Sequence, residues 1–463
     1  MKINWNKGSF RDPSNRIFES EGKIYRAIFN SGKSDYINIQ QSGIIQKLIN
    51  KNYLIDTDEL DRGNKLYSHE ELKNVYIILK HKKIPFISYP YEWCFEQLKK
   101  AAIFHLDLQL YLLENNFNLK DSSAFNIQFI GGEPIFIDFF SLQKYNDGDY
   151  WIGYKQFCEN FLNPLYLSFK KNVQFNHIIR SNLEGISSTT LNNLLSFKDK
   201  LSLNVFSHIV LQSRYEKKVL LDEKSSIKKF KKLKKLPKKN LISMITIIKN
   251  WIKKFNIQNK KSTWSDYSVI NTYKDFEKKK KIDIVKKFTN KIKPNLLVDL
   301  GCNTGDYSIA ALENGANYVV GFDFDIESLN KSYDRSPNFL PLWFDAANPS
   351  PDQGFMQKER DGFERRVKSD ALISLAFIHH LVIAKNISVK MFVEWISKIS
   401  QFGLLEFVPK NDETIQKMLI SKRDIYKDYN IDNLIKYLEY DFKIVSIDQV
   451  SESGRKIIEY SKK

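Results

Sequence analysis

At 463 residues the chain is about three times the usual length of one domain, which predicts two or three packed units. Its 42% hydrophobic and 27% charged residues are typical of a globular protein and exclude the collagen-like, disordered and disulfide-scaffold classes. The three cysteines, Cys94, Cys158 and Cys302, have no metal-ligand spacing, which favours a reduced cytoplasmic setting and predicts no metal site.

The net charge of +18 would suit a nucleic-acid partner, but its location changes that interpretation. Residues 211–293 carry 26 basic and 7 acidic side chains, whereas the rest of the chain carries 46 basic and 47 acidic ones. All basic residues of 211–293 except Arg214 are lysines. The distribution predicts a first domain at 1–210, a basic helical connector and lead-in at 211–293, and a last domain at 294–463.

The sequence starts without an apolar segment of the kind that directs secretion. Its longest relevant apolar stretch, 241–248, is shorter than the ~20 residues that a bilayer span requires. We therefore expect a soluble, cytoplasmic protein without a transmembrane segment, and these features predict no particular oligomeric state.

The first region contains a long helical pattern followed by a short strand pair. Apolar residues recur at helical spacing over 92–116, which predicts a largely buried helix. Downstream, Asp121 and Asn126 lie five residues apart, a Gly-Gly turn separates two predicted strands, and Asp138 follows the second strand.

This arrangement resembles the catalytic loop and metal-binding strand of small-molecule phosphotransferases, which have a kinase-like α+β fold. The resemblance implies that Asp121 positions an acceptor hydroxyl while Asn126 and Asp138 hold Mg²⁺ on bound ATP. The family's glycine-rich loop is missing, since residues 18–26 contain one glycine, and no strand lysine is evident, so Arg26 is the substitute cation. The alternatives are a degenerate domain that recognises an acceptor, an active Mg-ATP-dependent phosphotransferase, and a coincidental pattern in which Asp121 only caps a turn.

The lysine-rich region contains three helical patterns. Apolar residues recur every three positions over 227–236, a second stripe covers 241–255, and a third segment covers 282–292. We interpret the region as solvated connector helices. The alternative is a phosphate-binding arm for RNA, whose affinity would fall steeply with salt.

From Pro294 onward the pattern alternates between strands and helices. The predicted strands are 296–298, 318–322, 340–344, 371–376 and 403–407. A helix is predicted at 308–314, after the first strand. Such alternation predicts a doubly wound α/β domain with a mostly parallel sheet.

Polar residues follow the first three of these strands. The first loop reads Asp299-Leu300-Gly301-Cys302-Asn303-Thr304-Gly305, and its glycines permit a tight turn and close approach of a ligand to the backbone. Asp323 ends the second strand, where a carboxylate can accept hydrogen bonds from both hydroxyls of a ribose. Asp345 and Ala346 follow the third strand, where a carboxylate and a backbone N–H can meet an adenine edge.

Together these strand ends resemble class I S-adenosylmethionine-dependent methyltransferases, whose sheet is Rossmann-like. Residues 374–381 and 405–412 narrow the resemblance to a bacterial group related to nodulation-type methyltransferases. S-adenosylmethionine is the implied cofactor. The implied cofactor-binding residues are Asp299, Gly301, Cys302, Asn303, Gly305, Asp323, Asp345 and Ala346. By this resemblance the glycine turn lines the methionine part, Asp299 receives the amino group, Asp323 holds the ribose and Asp345 the adenine.

Three further residues are candidate catalytic groups. His379 and His380 follow the fourth strand, and a histidine, with an ordinary pKa of ~6.5, suits removal of a proton from a hydroxyl acceptor. Glu406, in the fifth strand, would assist this base or bind substrate. The alternative is that one histidine packs in the core, because two adjacent residues seldom both face a cleft. Trp264 and Tyr267 are candidate lid residues, with aromatic packing as the alternative.

The sequence thus favours an S-adenosylmethionine-dependent methyltransferase that O-methylates a small molecule or saccharide, with the first region recognising the acceptor. Residues 348–367 are expected to contribute to the acceptor pocket. The alternatives are an RNA methyltransferase that uses the basic connector, a bifunctional kinase and methyltransferase, and a non-catalytic nucleotide-binding scaffold. Nucleic acid is the less favoured partner, because few aromatic residues interleave the lysines of 211–293.

Overall fold

The computed structural model of the chain describes residues 2–221, 235–257, 275–420 and 423–463. The strands are β1 Asn4–Trp5, β2 Asn15–Ser20, β3 Lys23–Phe29, β4 Thr57–Glu59, β5 Val75–His81, β6 Phe117–Leu119, β7 Ile127–Ile130, β8 Glu133–Phe136, β9 Leu142–Lys144, β10 Leu296–Leu300, β11 Tyr318–Asp323, β12 Phe339–Trp343, β13 Ser369–Ser374, β14 Ser400–Phe407, β15 Phe442–Gln449 and β16 Lys456–Lys462. The α-helices are α1 Lys33–Gln41, α2 Ile44–Asn50, α3 Phe95–Glu114, α4 Tyr154–Phe157, α5 Asn163–Lys171, α6 Phe175–Ser181, α7 Ser188–Leu194, α8 Phe197–Lys200, α9 Leu203–Val205, α10 Leu211–Leu221, α11 Lys238–Lys253, α12 Asp275–Ile292, α13 Asp306–Leu312, α14 Ile326–Ser332, α15 Phe363–Arg366, α16 Val389–Ile396, α17 Glu413–Leu419 and α18 Ile431–Asp441.

A five-stranded antiparallel sheet, in the order β1-β2-β3-β5-β4, occupies the start of the chain. A two-residue turn at Glu21 and Gly22 joins β2 to β3, and both residues have positive φ, which matches the twist of a hairpin. Side chains alternate along β3, so Tyr25 and Ala27 pack in a small separate core while Ile28 packs in the main core. Arg26 therefore lies on the same face of β3 as Ile28.

The predicted helix at 92–116 is confirmed as α3. Most of its apolar stripe is buried, and α11 of the lysine-rich region packs against this helix. The buried residues of α11 are Leu241, Ile245, Ile248 and Ile252. Lys249 Nζ also donates to Asp107 Oδ1 of α3 at 2.6 Å. This lysine therefore contacts α3.

A seven-stranded sheet, in the order β12-β11-β10-β13-β14-β16-β15, forms the second half of the chain. Strands β10 to β14 are parallel, and β16 is antiparallel to both β14 and β15. The prediction of a doubly wound, mostly parallel sheet is confirmed. The strand order reverses between β10 and β13, and open α/β sheets bind ligands beyond the carboxyl ends of the strands at such a point.

The two halves share one large hydrophobic core, which includes Leu98 of α3 and Leu340 of β12. The Gly-Gly turn between β7 and β8 meets the second half closely: a Cβ on Gly131 would lie 2.1 Å from the carbonyl oxygen of Pro337, so only glycine fits. Arg366 and Glu92 form a buried ion pair across the same boundary. The two sheets are thus held in one packed body.

The third helical pattern of the lysine-rich region is confirmed as part of α12. Most of the pattern at 227–236, and both candidate lid residues, Trp264 and Tyr267, lie outside the described residues. None of the helices in the described ranges has the length and apolarity that a membrane span requires.

Candidate functional site

A cavity of about 330 Å³ lies at the carboxyl ends of the parallel strands, at the point where the strand order reverses. The predicted site residues that line it are Gly301, Cys302, Asn303, Asp323, Asp345, Ala346, His380 and Glu406. The predicted residues Asp299, Gly305 and His379 lie behind its wall. We call this space the first cavity.

The turn after β10 depends on backbone conformations that favour glycine. Gly301 and Gly305 have φ of +83° and +82°, and Asn303 between them has φ of +47°. Gly301 N donates to Phe322 O at 2.8 Å, which ties the turn to β11. A Cβ on Gly301 would lie 2.9 Å from Phe377 Cδ2, so the missing side chain lets the Phe377 ring, which also lines the cavity, pack against the turn.

Asp323 joins the glycine turn to the end of β11. Its Oδ2 accepts from Asn303 N at 2.7 Å and its Oδ1 accepts from Asp325 N at 2.8 Å. Burial raises the pKa of Asp323 to about 6, although these backbone donors favour the ionised form. The carboxylate is thereby fixed at the cavity wall, where it can accept further hydrogen bonds from a polyhydroxylated ligand.

Asp299 supports the turn from below. Its Oδ2 accepts from Ser308 Oγ at 2.6 Å, and the residue is only 2% exposed. Burial raises the pKa of Asp299 to about 7, and the nearby Asp323 carboxylate adds to this effect. Its predicted contact with a cofactor amino group stays a prediction, because the side chain does not line the first cavity.

Asp345 and Ala346 lie beyond the end of β12. Asp345 Oδ1 accepts from Ala347 N at 3.0 Å, which orders the loop, and Phe344 N donates to Asp323 O at 2.8 Å. These two hydrogen bonds place the third predicted strand end beside the second, along the same wall of the first cavity.

The two adjacent histidines have different environments. His379 is fully buried, and neither ring nitrogen has a hydrogen-bond partner among the described residues. Burial lowers the pKa of His379 well below its usual value. His380 lines the first cavity, and partial burial lowers its pKa to about 4, so its imidazole is neutral near pH 7. The alternative considered from the sequence, that one histidine packs in the core, applies to His379.

Glu406 belongs to a buried network of charges. Lys281 Nζ donates to its two carboxylate oxygens at 2.6 and 2.8 Å, and Arg455 lies 3.7 Å from one of them. Arg455 in turn donates to both oxygens of Asp412 at 2.7 Å. Burial lowers the pKa of Lys281, while the Glu406 carboxylate opposes that shift. With two cations facing it, Glu406 is well placed to anchor α12 against the sheet; its predicted part in catalysis stays a prediction.

Sequence reasoning missed Lys278 and Lys281, which bring α12 to the first cavity. Lys278 Nζ donates to Asp306 Oδ2 at 2.7 Å, beside the glycine turn. Their three-residue spacing is a sequence signal for this arrangement, because it places both lysines on one face of a helix. The sequence analysis interprets the lysine-rich region as solvated helices, whereas Lys278 and Lys281 pair with Asp306 of α13 and Glu406 of β14.

A second cavity, of about 510 Å³, lies between the first antiparallel sheet and residues 358–361. Asp121, Asn126 and Asp138, predicted from the kinase-like resemblance, all line it, as does Arg26. Arg26 Nη1 donates to Asp138 Oδ1 at 3.0 Å, and Asp138 Oδ2 accepts from Ser141 Oγ at 2.6 Å. Both oxygens of Asp138 therefore have protein donors.

The described ranges contain no group of three His, Cys, Asp or Glu side chains placed to hold a metal ion.

No protein-family model matches the sequence. The nodulation protein NoeA of Rhizobium meliloti (strain 1021) is 37% identical over 461 residues, which cover 98% of this chain and 95% of that protein. The chain belongs to the NoeA family. Identity of this extent covers both halves of the chain and the lysine-rich region between them.

Solved structures overlap with only part of this NoeA-family chain. The N-methyltransferase NodS from Bradyrhizobium japonicum WM9 covers 41% of the chain and 97% of its own, with 8% identity and a TM-score of 0.31. The PH0226 protein from Pyrococcus horikoshii OT3 covers 42% of the chain and 98% of its own, with 17% identity and a TM-score of 0.31. The structure of WbdD covers 39% of the chain and 40% of its own, with 20% identity and a TM-score of 0.29.

Proposed function

We propose that the chain is an S-adenosylmethionine-dependent methyltransferase that methylates an oxygen of a small molecule or saccharide, with the first half recognising the acceptor. The observation that carries the proposal is the convergence of three strand ends on the first cavity. The glycine turn, Asp323 and Asp345 follow β10, β11 and β12 in turn, and all three line that cavity beside the reversal in strand order.

The size and the polar groups of the first cavity fit the proposed cofactor. The cavity volume of about 330 Å³ lies within the usual range for small-molecule sites. Asp323 offers a fixed carboxylate for two ribose hydroxyls, and Gly301 and Asn303 bring the backbone of the turn to the cavity wall. When bound, S-adenosylmethionine supplies an electrophilic methyl group next to the acceptor.

In this proposal His380 is the base. Its neutral imidazole can take the proton of an acceptor hydroxyl as the oxygen attacks, and it lies in the wall of the same cavity as Asp323. Methyl transfer is an in-line displacement, so the chief task of the chain is to align the acceptor oxygen. Lys281 and Glu406 hold α12 over the cavity, which helps to exclude water.

Phosphoryl transfer in the second cavity is a second candidate activity. It is favoured by one observation: the three residues of the kinase-like pattern, distant by up to 17 positions in the sequence, line a single cavity with Arg26. Incubation with Mg·ATP tests it. Phosphate release or transfer that is lost in Asp138→Ala supports this activity, and equal rates in both proteins contradict it.

RNA methylation is not proposed, because lysines of the basic region pair with acidic groups of the chain. Lys249, Lys278, Lys281 and Lys291 contact Asp107, Asp306, Glu406 and Glu459 at 2.6 to 2.8 Å. These contacts neutralise part of the positive charge and orient it toward the protein.

Calorimetric titration with S-adenosylhomocysteine tests the proposed cofactor. We expect one binding site per chain and a loss of about 100-fold in affinity for Asp323→Ala, since two charge-assisted hydrogen bonds disappear. Asp334→Ala is the matched control, because Asp334 is an exposed acid outside the first cavity. No binding by the unaltered protein, or equal binding by Asp323→Ala, would contradict the proposal.

A further inference from the structure

The second cavity takes one wall from the other half of the chain. Residues 358–361, in the segment that follows β12, form this wall. Arg11 Nε and Nη2 donate to the two carboxylate oxygens of Glu359 at 2.7 and 2.9 Å. A Cβ on Gly8 would lie only 2.6 Å from the carbonyl oxygen of Glu359. The N-terminal segment therefore packs directly on the wall and fixes its position.

Most cations that line the second cavity already have acidic partners. The paired cations are Arg11, Arg26, Lys82 and Lys83, with carboxylate oxygens at 2.7, 3.0, 3.8 and 3.1 Å. Lys7, Lys358 and Arg360 also line the cavity, and in the described part of the chain none of them has a carboxylate partner. These three cations belong to the wall or to the segment that packs on it.

Arg360 is held against an aromatic ring. Its guanidinium lies over the ring of Phe125, 4.5 Å from the centroid, which fixes the plane of the group. Its Nε is buried and has no hydrogen-bond partner among the described residues. A planar guanidinium held in this way presents N–H donors in the fork that matches an oxyanion.

Asp121 and Asn126 line another side of the cavity and offer acceptors. Asp121 Oδ1 accepts from Ser123 N at 2.9 Å, and within the described ranges Asp121 has no cation partner. Asn126 also lines the cavity. A carboxylate and an amide suit the hydroxyl groups of a ligand, whereas three cations without acidic partners suit a dianion. Phosphate monoesters carry about two negative charges at pH 7.

We infer that the second cavity binds a phosphate-bearing, hydroxylated small molecule, with Arg360 as its principal phosphate-binding residue and Lys7 and Lys358 as supporting cations. The wall from the second half thus completes a site whose other residues come from the first half. The inference concerns binding alone and does not depend on methyl transfer in the first cavity.

The test is calorimetric titration of the full-length chain in magnesium-free buffer. Glucose 1-phosphate and ADP are the two phosphate probes, which separate a sugar phosphate from a nucleotide, and malonate is the dicarboxylate probe. The variants are Arg360→Ala and Arg360→Lys. Arg62→Ala is the matched control, because Arg62 also stacks on aromatic rings, Tyr67 and Tyr76, but does not line the cavity.

We expect at least one phosphate probe to bind the unaltered protein and to bind Arg360→Ala at least about tenfold more weakly. Arg360→Lys should recover part of this loss, and Arg62→Ala should bind normally. Failure of both phosphate probes to bind, equal binding by Arg360→Ala and Arg62→Ala, or equal affinity for malonate would each overturn the inference. Dependence on Arg360 also excludes binding in the first cavity, which Arg360 does not line.

Discussion

The two cavities of this chain are built in different ways. The first depends on backbone: a turn with three positive φ angles, and loops that follow consecutive parallel strands. The second depends on charged side chains from segments far apart in sequence, such as Arg26 on β3 and Arg360 after β12. The sheet positions the residues of a site made from strand ends. Packing between the two halves positions the residues of a site made from charged side chains of distant segments.

This contrast predicts that a single substitution in one cavity impairs the activity or binding at that cavity and leaves the other cavity unaffected. The largest expected effect is on the chemistry of the first cavity. His380→Ala should slow methyl transfer by roughly 10²–10⁴-fold, because the base next to the acceptor is lost. The measurement follows tritium from the labelled cofactor into any acceptor that the unaltered protein methylates, while probe binding in the second cavity should stay unchanged.

His379→Leu is the matched control for this prediction. Its two ring nitrogens are buried and have no partner among the described residues, so leucine removes a desolvation cost and should not lower stability. Methyl transfer that falls as far in His379→Leu as in His380→Ala would contradict the assignment of the base to His380.

The charges near the first cavity should matter for stability more than surface charges do. Lys281→Met leaves the buried Glu406 without its bidentate partner and should lower the free energy of unfolding by about 3 kcal/mol or more. Lys417→Met removes an exposed pair with Glu413 and should change it by less than about 1 kcal/mol. Urea denaturation of both variants measures the difference, and similar midpoints would contradict the buried role of Lys281.

The smallest expected effect is a pH dependence confined to the first cavity. The pKa of Asp299 is raised to about 7 and that of Asp323 to about 6, both by burial. The folded protein therefore holds these protons above the unfolded pKa of ~3.9, so their contribution to stability is lost as pH rises from about 4 to 7. Binding of the ribose needs the ionised form of Asp323, which lines the cavity, so affinity should rise as pH passes its pKa of about 6.

Calorimetry with S-adenosylhomocysteine between pH 5.5 and 8 measures how the affinity changes with pH. Asp323→Asn removes one of the two titrating groups and should flatten this pH dependence. An affinity that falls with increasing pH in the unaltered protein would contradict the placement of the ionised Asp323 carboxylate against the ligand.

Sequence reasoning was most successful where topology fixes position. The order of strands places Gly301, Asp323 and Asp345 at one edge of the sheet, and all three line the first cavity there. It was least successful for adjacent residues whose side-chain directions depend on tertiary packing. Nothing in the sequence distinguishes His379 from His380, because the direction of each side chain depends on the loop after β13.

The contribution of residues 358–361 was also invisible in the sequence. The segment 348–367 was expected to contribute to an acceptor pocket, and part of it forms a wall of the second cavity. Glu359 of this segment pairs with Arg11, which lies 348 positions earlier in the chain. An ion pair between residues so far apart leaves no local pattern in the sequence. The pairing of Lys281 with Glu406 was missed for the same reason.

A crystal structure of the complex with S-adenosylhomocysteine would show directly whether the first cavity is the cofactor site. We predict that the ligand occupies the first cavity, with its ribose on Asp323, its adenine beside Asp345 and its sulfur facing the side of His380. A ligand bound in the second cavity, or in the first cavity without contact to Asp323, would contradict this prediction.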